Sequence, residues 1–442
     1  MAALEAEGVH TLLVQFTDLH GVAKGKHVPL RHLPAVLAQG AGFAGPSIAG
    51  TGLPRAGPRS EYYARGDLST LQALPWMPGH ARLIGDGFVD AAPFDACPRQ
   101  VLRRAVARLA ERGLTLRTGL EPEFFLLRRG AADGTGWGPF DPLDRLDKPS
   151  YDLKSLPRQA PFLHALRSAL EAAGLTVEQI DHEDAHGQYE VNFGHDEALR
   201  SADHLMLFKM AAHALAEREG AVFSMMPKPF ADQPGSGLHF HVSLWRGEEC
   251  VFAGATESGR ADGLTALARR FIAGVLAHAP ALCALAAPTV NSYKRLTVGP
   301  SRSGTSWAPA SIAHGPNNRT ALVRTLAGRF EWRLPDAAAN PYLATAALIA
   351  AGLDGMDRDL QAPEATREDL FELSPSQRQE RGIGLLPQSL GEAITALEAD
   401  EVIGQALGPT LRDAFVRLKR EEWTDFARHV SAWEISRYGD AF

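Results

Sequence analysis

Two glutamates separated by a single residue are the first sign of chemistry in this sequence. Glu121 and Glu123 lie in the run GLEPEFFLL at 119–127, and in an extended segment residues two apart point to the same side. Carboxylates this close repel each other, so the pair is stable at neutral pH mainly when a cation lies between them. The spacing indicates a metal site, while a solvated strand face beside an apolar core stays open as the simpler interpretation.

Two later segments carry further residues with ligand chemistry. Glu183 and Glu190 flank a Gly-Gln turn, so two extended pieces could return both carboxylates to one surface. After a glycine-rich loop, His239, His241 and Ser243 alternate on one face of a predicted strand. A lone histidine in such a strand is usually packed or solvated. Two in alternation beside this loop favour ligand and phosphate roles.

The last polar strand is predicted at 329–336, where Arg329, Glu331 and Arg333 share one face. Taken alone, this segment would be interpreted as a polar sheet surface. Together with the earlier segments it completes an oxygen-rich set that suits Mg²⁺ or Mn²⁺ better than zinc. The candidate metal ligands are Glu121, Glu123, Glu183, Glu190, His239 and Glu331.

Arginines in the second half of the chain complete the predicted chemistry. Three ligands per ion would leave open positions for ATP phosphates, and guanidinium groups are planar donors for phosphate and carboxylate oxygens. The candidate arginines are Arg295, Arg319, Arg324, Arg329 and Arg333. A site with both features predicts phosphoryl transfer with ATP and two or three Mg²⁺ or Mn²⁺ ions.

Strands and helices alternate around these segments and must position them. Apolar residues recur at helical spacing over 98–112, 161–173 and 201–219, and each run is followed or closed by a glycine that suits a helix end. This alternation predicts an α+β or α/β catalytic domain. A hairpin after residue 10 and a stretch rich in Gly and Pro predict a smaller domain before it, with the boundary near 93–98.

Composition excludes several kinds of partner. The net charge of −7 argues against nucleic acid, because phosphate backbones require clustered Lys and Arg. Three cysteines without pairing or metal-ligand spacing, Cys97, Cys250 and Cys283, favour a reducing compartment. The start of the chain has no signal-like pattern, so we expect a cytoplasmic protein. The span 271–290 has membrane length, but its prolines favour a buried helix ending near Pro280 over a membrane segment.

Six motifs, in order, resemble those of the glutamine synthetase family over nearly the whole chain. The resemblance is greatest to its short type III group, which includes γ-glutamylmethylamide synthetase-like proteins. The motifs are EPEFFL at 121–126, HEDAHGQYE at 182–190, GSGLHFH at 235–241, NSYKR at 291–295, NRTALVR at 318–324, and RFEWRLPD at 329–336 followed by NPYL at 340–343. No single motif is decisive, but six in the family's order are a strong signal.

This resemblance implies an architecture. Residues 1–95 would form a β-grasp domain, and residues 96–442 a glutamine synthetase catalytic domain with a curved antiparallel sheet. The family also implies a homo-oligomer, expected here as a dodecamer of two stacked hexameric rings with sites between subunits.

The resemblance also implies roles by motif position. Glu123, Glu183 and Glu190 would hold one metal, and Glu121, His239 and Glu331 the other. Substrate and nucleotide roles would fall to a second set of residues. Those are His241 and Ser243 near the nucleotide, Arg319, Arg324 and Arg329 near its phosphates, and Arg295, Arg333, Glu123 and Gly235 near glutamate, with Arg295, Arg319 and Arg324 catalytic. ATP would phosphorylate the γ-carboxylate of glutamate, and an amine would then displace the phosphate.

The sequence departs from the family at the amine-binding positions. Ala44 stands where an ammonium-binding aspartate is expected, and Ser301 falls near the position of a second carboxylate. Losing two anions removes cation capture and a proton acceptor. Pro234, before Gly235, replaces an asparagine that would help to bind glutamate. His186 is a weak candidate for the missing base, since a histidine in that loop could simply be solvated.

The hypothesis is therefore an ATP-dependent γ-glutamyl ligase that joins glutamate, or a close analogue, to a small amine larger than ammonia. Ordinary glutamine synthetase, using other groups for ammonium, stays open as an alternative. A catalytically silent homologue with a structural or regulatory role is the second alternative. All six candidate metal ligands are present, which argues against the silent homologue.

Overall fold

The computed structural model describes residues 1–130, 136–254, 263–299 and 307–442. Its amino-terminal part forms a mixed sheet in which the parallel pair is β1 with β6 and the order is β2-β1-β6-β4-β3. The strands of this sheet are β1 Thr11–Thr17, β2 Ala23–Pro29, β3 Ala41–Ala44, β4 Glu61–Gly66, β5 Gln72–Ala73, β6 His80–Val89 and β7 Ala92–Pro93. A boundary at 95–96 stays a prediction, and that point falls between β7 and the next helix.

A larger sheet follows, and it carries the candidate site. Its central order is β10-β11-β8-β14-β19-β18-β17, antiparallel except for β17 with β18. Its strands, with the separate pair β16 and β20, are β8 Thr115–Arg129, β9 Trp137–Pro139, β10 Val177–His182, β11 Gln188–Phe193, β12 Asp196–Glu197, β13 Val222–Ser224, β14 Leu238–Arg246, β15 Glu249–Cys250, β16 Ser311–Ile312, β17 His314–Pro316, β18 Val323–Leu326, β19 Arg329–Trp332 and β20 Gly384–Leu385.

Helices pack on the apolar side of this sheet, which confirms the α+β prediction. In β8 the side chains of Leu116, Leu120 and Phe124 are buried in the main core, while Glu121 and Glu123 face away from it. The helices are α1 Ala2–Ala6, α2 Leu33–Ala38, α3 Pro98–Ala110, α4 Ala160–Ala172, α5 Ala198–Arg218, α6 Ala266–Ala277, α7 Ala279–Ala286, α8 Pro341–Asp357, α9 Pro375–Glu380, α10 Leu390–Ala399, α11 Glu401–Leu407, α12 Pro409–Arg428 and α13 Ala432–Tyr438. Helix α5 packs against β8, and α8 packs against α3 and α6.

The apolar span 271–290 is divided between two helices. Helix α6 ends at Ala277, and α7 begins at Ala279 with Pro280 in its first turn, where a missing N–H costs nothing. In the part of the chain that the structure describes, no single helix is long and apolar enough to cross a membrane, while α6 and α7 together, bent by 74°, meet that requirement by length and composition. Most of their side chains lie in the core.

A buried arginine joins the two sheets. Arg99 in α3 contacts Asp203 at 2.7 Å, and it also contacts Asp86 at 2.8 Å and Asp67 at 2.9 Å. Asp67 and Asp86 belong to the amino-terminal part and Asp203 to α5, so one cation fixes both parts. Tyr342 donates a further hydrogen bond to Asp203 at 2.8 Å.

Candidate active site

Strand pairing brings the first group of predicted ligands together. His239 in β14 is opposite Glu121 in β8, and its neighbour His241 is opposite Glu331 in β19. The His239 Nδ1 atom lies 3.7 Å from Glu121 Oε2 and 3.4 Å from Glu331 Oε1. One ligand atom from each of Glu121, His239 and Glu331 lies within 4.8 Å of the others, close enough to share a metal ion. These three residues are called the Glu331 half of the cluster.

A second group lies on the other side of β8. Ligand atoms of Glu123, Glu190 and His239 also lie within 4.8 Å of one another. Glu190 pairs directly with Glu123 across β11 and β8, and Glu183 lines a cavity together with both of them. The three carboxylates Glu123, Glu183 and Glu190 are called the Glu190 half. His239 stands between the two halves.

Neighbouring polar groups fix the orientation of the Glu190 half. Glu123 Oε2 accepts hydrogen bonds from the Gln188 side chain at 3.0 Å and from the Gly237 N–H at 2.7 Å. Asn192 donates to Glu190 Oε1 at 3.1 Å. Gln188, Glu190 and Asn192 alternate on one face of β11, so the sequence carried a signal for this support that the prediction missed.

Glu183 and Glu190, two carboxylates of the Glu190 half, resist ionisation. Burial and the charges of Glu123 and Asp184 raise the pKa of Glu183 to about 8. Burial raises the pKa of Glu190 as well, and the charges of Glu123 and Glu183 add to that effect. A divalent cation here would supply the missing positive charge and favour ionised carboxylates, so the residues present fit a hard metal ion.

The Glu331 half is balanced by the protein's own cations. Burial disfavours the charged form of Glu331, but Arg333, His239 and other positive groups outweigh it and lower the pKa to about 2. Arg324 donates to Glu331 Oε2 at 2.8 Å, and Arg333 donates to the other oxygen. Burial of Glu121 is likewise outweighed by His239 and His241, which lower its pKa. The Glu331 half therefore needs less positive charge from a bound cation than the Glu190 half does.

A large cavity of about 980 Å³ opens over both halves. It has room for a nucleotide, and it brings together most of the residues predicted for metal, nucleotide and phosphate. Those residues are Glu121, Glu123, Glu183, Glu190, His239, His241, Ser243, Arg319, Arg324, Arg329, Glu331 and Arg333. Arg329 donates to His241 Nδ1 at 3.1 Å. The predicted strand 329–336 ends at Trp332, so Arg333 lies just beyond it, and its N–H bonds to the carbonyl of Leu322 at 3.0 Å.

A small cavity of about 50 Å³ adjoins the large one. Arg295 and Gly235 line it, together with Lys228 and Pro234. The Arg295 side chain is buried and donates to the carbonyl of Leu334 at 3.2 Å. Its burial lowers its pKa, although the charges of Asp336 and Glu123 oppose that effect. The cationic side chains in this lining, Arg295 and Lys228, suit the carboxylates of a small acid.

One of the two predicted amine-side residues lies in the described part of the chain, and it does not join these cavities. Ala44 is exposed at the end of β3, opposite Glu61 in β4. Ala44 is not among the described residues that line either cavity. Ser301 lies outside the described residues.

Two contacts near the cluster were missed by the sequence analysis. His182 is completely buried, its Nε2 lies 2.8 Å from Asp144 Oδ2, and its Nδ1 lies 2.8 Å from the carbonyl oxygen of Glu183. Asp144 also accepts the Gly187 N–H at 2.6 Å, which fixes the turn between Glu183 and Glu190. The indole N–H of Trp307 donates to Asp184 Oδ2 at 2.8 Å. The sequence spacing of His182 and Asp144, or of Trp307 and Asp184, does not predict either contact.

The α+β fold and the site of carboxylates, histidines and arginines suit a metal-dependent enzyme that handles phosphate groups. A family model for the glutamine synthetase catalytic domain matches residues 95–438. The chain belongs to the glutamine synthetase family. It is a ligase that forms a γ-glutamyl amide, as its motifs predicted.

Relatives and solved structures cover almost the whole chain. Glutamate–methylamine ligase of Methyloversatilis universalis is 47% identical over 99% of this chain and 98% of that protein. Glutamine synthetase of Pyrococcus horikoshii is 37% identical over 98% of this chain and 97% of that protein. A solved complex of GmaS with ADP matches with a TM-score of 0.92 at 38% identity, covering 100% of this chain and 99% of that one.

Proposed function

We propose that this protein joins glutamate to methylamine at the expense of ATP, with γ-glutamyl phosphate as the intermediate. The observation that carries the proposal is the 47% identity to glutamate–methylamine ligase across nearly the full length of both chains. The departures at Ala44 and Ser301 support it, because a site without those two carboxylates is poorly suited to capturing ammonium.

The proposed cofactors are ATP and two or three Mg²⁺ or Mn²⁺ ions. Glu121, His239 and Glu331 would hold one ion, and Glu123, Glu183 and Glu190 another. When bound, such ions neutralise the charge that develops on the phosphoryl group during its transfer. The oxygen-rich donor set and the raised pKa values of Glu183 and Glu190 support this assignment.

The chain's own residues would position the substrates. Arg319, Arg324 and Arg329 line the large cavity, where their guanidinium groups suit the ATP phosphates. His241 and Ser243 lie on the wall of the same cavity and are proposed to contact the nucleotide. Other residues are proposed to hold glutamate. Those are Arg295 and Gly235 in the small cavity, Arg333 in the large one, and Glu123 in both.

The reacting groups are proposed to meet at the junction of the two cavities. A phosphoryl donor in the large cavity and a carboxylate anchored by Arg295 in the small one would meet beside Glu123 and His239, which line both. Closing that region to water would limit hydrolysis of the acyl phosphate and strengthen each charge contact. The amine must then reach the same junction to displace phosphate.

We also propose a cytoplasmic homo-oligomer, a dodecamer of two stacked hexameric rings. The exposed position of Ala44, away from the chain's own cavities, supports a role opposite the site of a neighbouring copy. The three free cysteines suit a reducing compartment. Light scattering on the eluting peak of a size-exclusion column tests the assembly, and a monomer that is fully active would contradict it.

Phosphate release with ATP, Mg²⁺ and glutamate, measured against a panel of amines, tests the reaction. We expect kcat/KM for methylamine to exceed that for ammonia, larger alkylamines, polyamines and ethanolamine. Assays without glutamate or without amine are the controls. If ammonia outperforms every other amine, the protein is an ordinary glutamine synthetase. If no amine supports turnover, the silent homologue is favoured.

A further inference from the structure

One aromatic side chain stands out at the junction between the two cavities. Trp307 lines both of them, and among the described residues that line the small cavity it is the only Phe, Trp or Tyr. Its side chain is 46% exposed in a site otherwise rich in carboxylates, arginines and lysines. A large apolar surface at a charged catalytic junction requires an explanation.

The position of this indole is fixed from two sides. Its N–H donates to Asp184 Oδ2 at 2.8 Å, and Ser150 Oγ donates to the other oxygen of the same carboxylate. The carbonyl oxygen of Trp307 accepts a hydrogen bond from Arg333 at 3.3 Å. Because the polar edge of the ring is already paired with Asp184, the remaining apolar surface of the ring lines the cavity.

Under the proposed function, the junction is also the place where the amine must attack. Five described residues line both cavities, namely Glu123, Glu183, Asp184, His239 and Trp307. A substrate carboxylate in the small cavity and a phosphoryl donor in the large one meet there. Four of the five residues carry carboxylate or imidazole groups, which suit an ammonium head, whereas Trp307 offers a flat apolar face to whatever substituent that nitrogen carries.

We propose that Trp307 forms the apolar side of the amine subsite and gives the enzyme its preference for a small primary alkylamine over ammonia, while Asp184 acts as a positioning residue that holds the indole in place. This inference rests on the proposed function and deepens it. Ammonia has no carbon to place against the ring, so it gains nothing from this wall. A methyl group that packs on the indole face removes apolar surface from water, which stabilises the bound amine.

The test compares two amines in the same variant. Replacement of Trp307 by Ala should lower the ratio of kcat/KM for methylamine to that for ammonia by about tenfold, since one methyl in an apolar pocket discriminates by that order. Trp307→Phe keeps an aromatic wall and should retain most of the wild-type ratio. The KM values for ATP and glutamate should stay within about twofold in both variants, because neither substrate is assigned to this ring.

Asp184 supplies a second, matched pair of variants. Asp184→Ala frees the indole N–H and should lower the methylamine-to-ammonia ratio, whereas Asp184→Asn keeps an acceptor oxygen and should restore it. A purely structural role for Asp184 would lower both activities together and leave their ratio unchanged. Ammonia turnover measured in each variant therefore serves as the internal reference for folding.

Two outcomes overturn the proposal. An unchanged ratio in Trp307→Ala, with either amine still turned over, excludes the ring as the alkyl wall. A Trp307→Phe variant whose ratio is as low as that of Trp307→Ala excludes a simple aromatic surface. Failure of the proposed function is a separate result, which a wild-type enzyme that prefers ammonia would show. Even then, a lower methylamine-to-ammonia ratio in Trp307→Ala than in wild type would still support the alkyl subsite.

Discussion

The Glu190 half and the Glu331 half of the cluster lie on one sheet but differ in what balances their charge. In the Glu331 half, His239, His241, Arg324 and Arg333 compensate the carboxylates, and the pKa values are lowered. In the Glu190 half, burial and the charges of neighbouring carboxylates raise the pKa values of Glu183 and Glu190. Two superficially similar ligand sets therefore have opposite electrostatics.

The difference indicates how the site is built. A compensated carboxylate stays ionised and ordered without a metal, so the Glu331 half can form with the fold. An uncompensated set lowers stability until an outside cation binds, so the Glu190 half should depend on that ion. The residues that hold the two sets in place, Gln188 and Asn192 on one side and Arg324 and Arg333 on the other, reflect this division.

The largest effect is expected from Glu331→Gln. This change leaves the buried Arg333 and Arg324 without their carboxylate partner, and breaking a buried ion pair from one side costs about 3–5 kcal/mol. Chemical unfolding in EDTA should show a loss of that order. Glu380→Gln, in an exposed position of α9, is the control and should cost less than about 0.5 kcal/mol. Equal stability of the two variants would contradict the inference that Arg324 and Arg333 balance the charge of Glu331.

Metal binding should produce the next largest effect. Mg²⁺ or Mn²⁺ at about a hundred times its dissociation constant should stabilise the folded protein by about 2.7 kcal/mol for each independent site. The unfolding midpoint should rise accordingly, and K⁺ at matched ionic strength is the control. If K⁺ and the divalent ions raised the unfolding midpoint equally, the stability of the Glu190 half would not depend on a bound divalent cation.

Removing a carboxylate from the Glu190 half should change the stability of the metal-free protein in the opposite direction to Glu331→Gln. In EDTA, Glu190→Gln removes a carboxylate that is costly to bury and is repelled by Glu123 and Glu183, and each unit by which the folded pKa is raised corresponds to about 1.4 kcal/mol. We expect this variant to be more stable than wild type without metal, by about 1 kcal/mol. Its midpoint should then respond less to Mg²⁺, and activity should fall. A destabilised metal-free Glu190→Gln would mean that the two halves do not differ.

How much of this could be predicted from sequence depends on the distance between partners. Alternation along a strand placed Glu121 and Glu123 together, and His239 with His241, because the period of two is a local property. The order of helices and strands predicted an α+β or α/β domain, and the resemblance narrowed this prediction to α+β. The resemblance also supplied the ligand roles, but the opposite charge balance of the two halves required knowledge of which arginine faces which carboxylate.

The remaining features depend on contacts that the sequence does not encode locally. The predicted strand 329–336 stops at Trp332, and Arg333 pairs with Glu331 from beyond its end. Trp307 and Asp184 meet across more than a hundred residues of chain. The period of two placed Arg333 on the face of Glu331 but did not show that the two side chains pair, and the contact between Trp307 and Asp184 has no periodic signature. The candidate ligands could therefore be predicted, while their charge balance and the aromatic wall could not.

The smallest effect tests charge compensation outside the cavity, at His278. This histidine lies between α6 and α7, with Nδ1 at 2.6 Å from Asp400 Oδ2 and Nε2 at 3.0 Å from Asp354 Oδ2. Burial opposes its charge, but hydrogen bonds to Asp400 and Asp354 outweigh that effect and raise its pKa. It is a cation compensated by two carboxylates, the reverse of the arrangement around Glu331.

The sign of its pH dependence follows from that raised pKa. The folded state holds the proton more tightly than the unfolded state, so the stabilisation is complete below the unfolded pKa of about 6.5 and is lost as pH rises through the folded pKa. His278→Gln should cost about 0.5–1 kcal/mol at pH 5.5, allowing for partial solvent screening, and less at pH 9. Unfolding midpoints at the two pH values measure this, with the exposed His32→Gln as control. A cost that is the same at both pH values would show that His278 contributes by packing, and charge compensation would then be a property of the cavity alone.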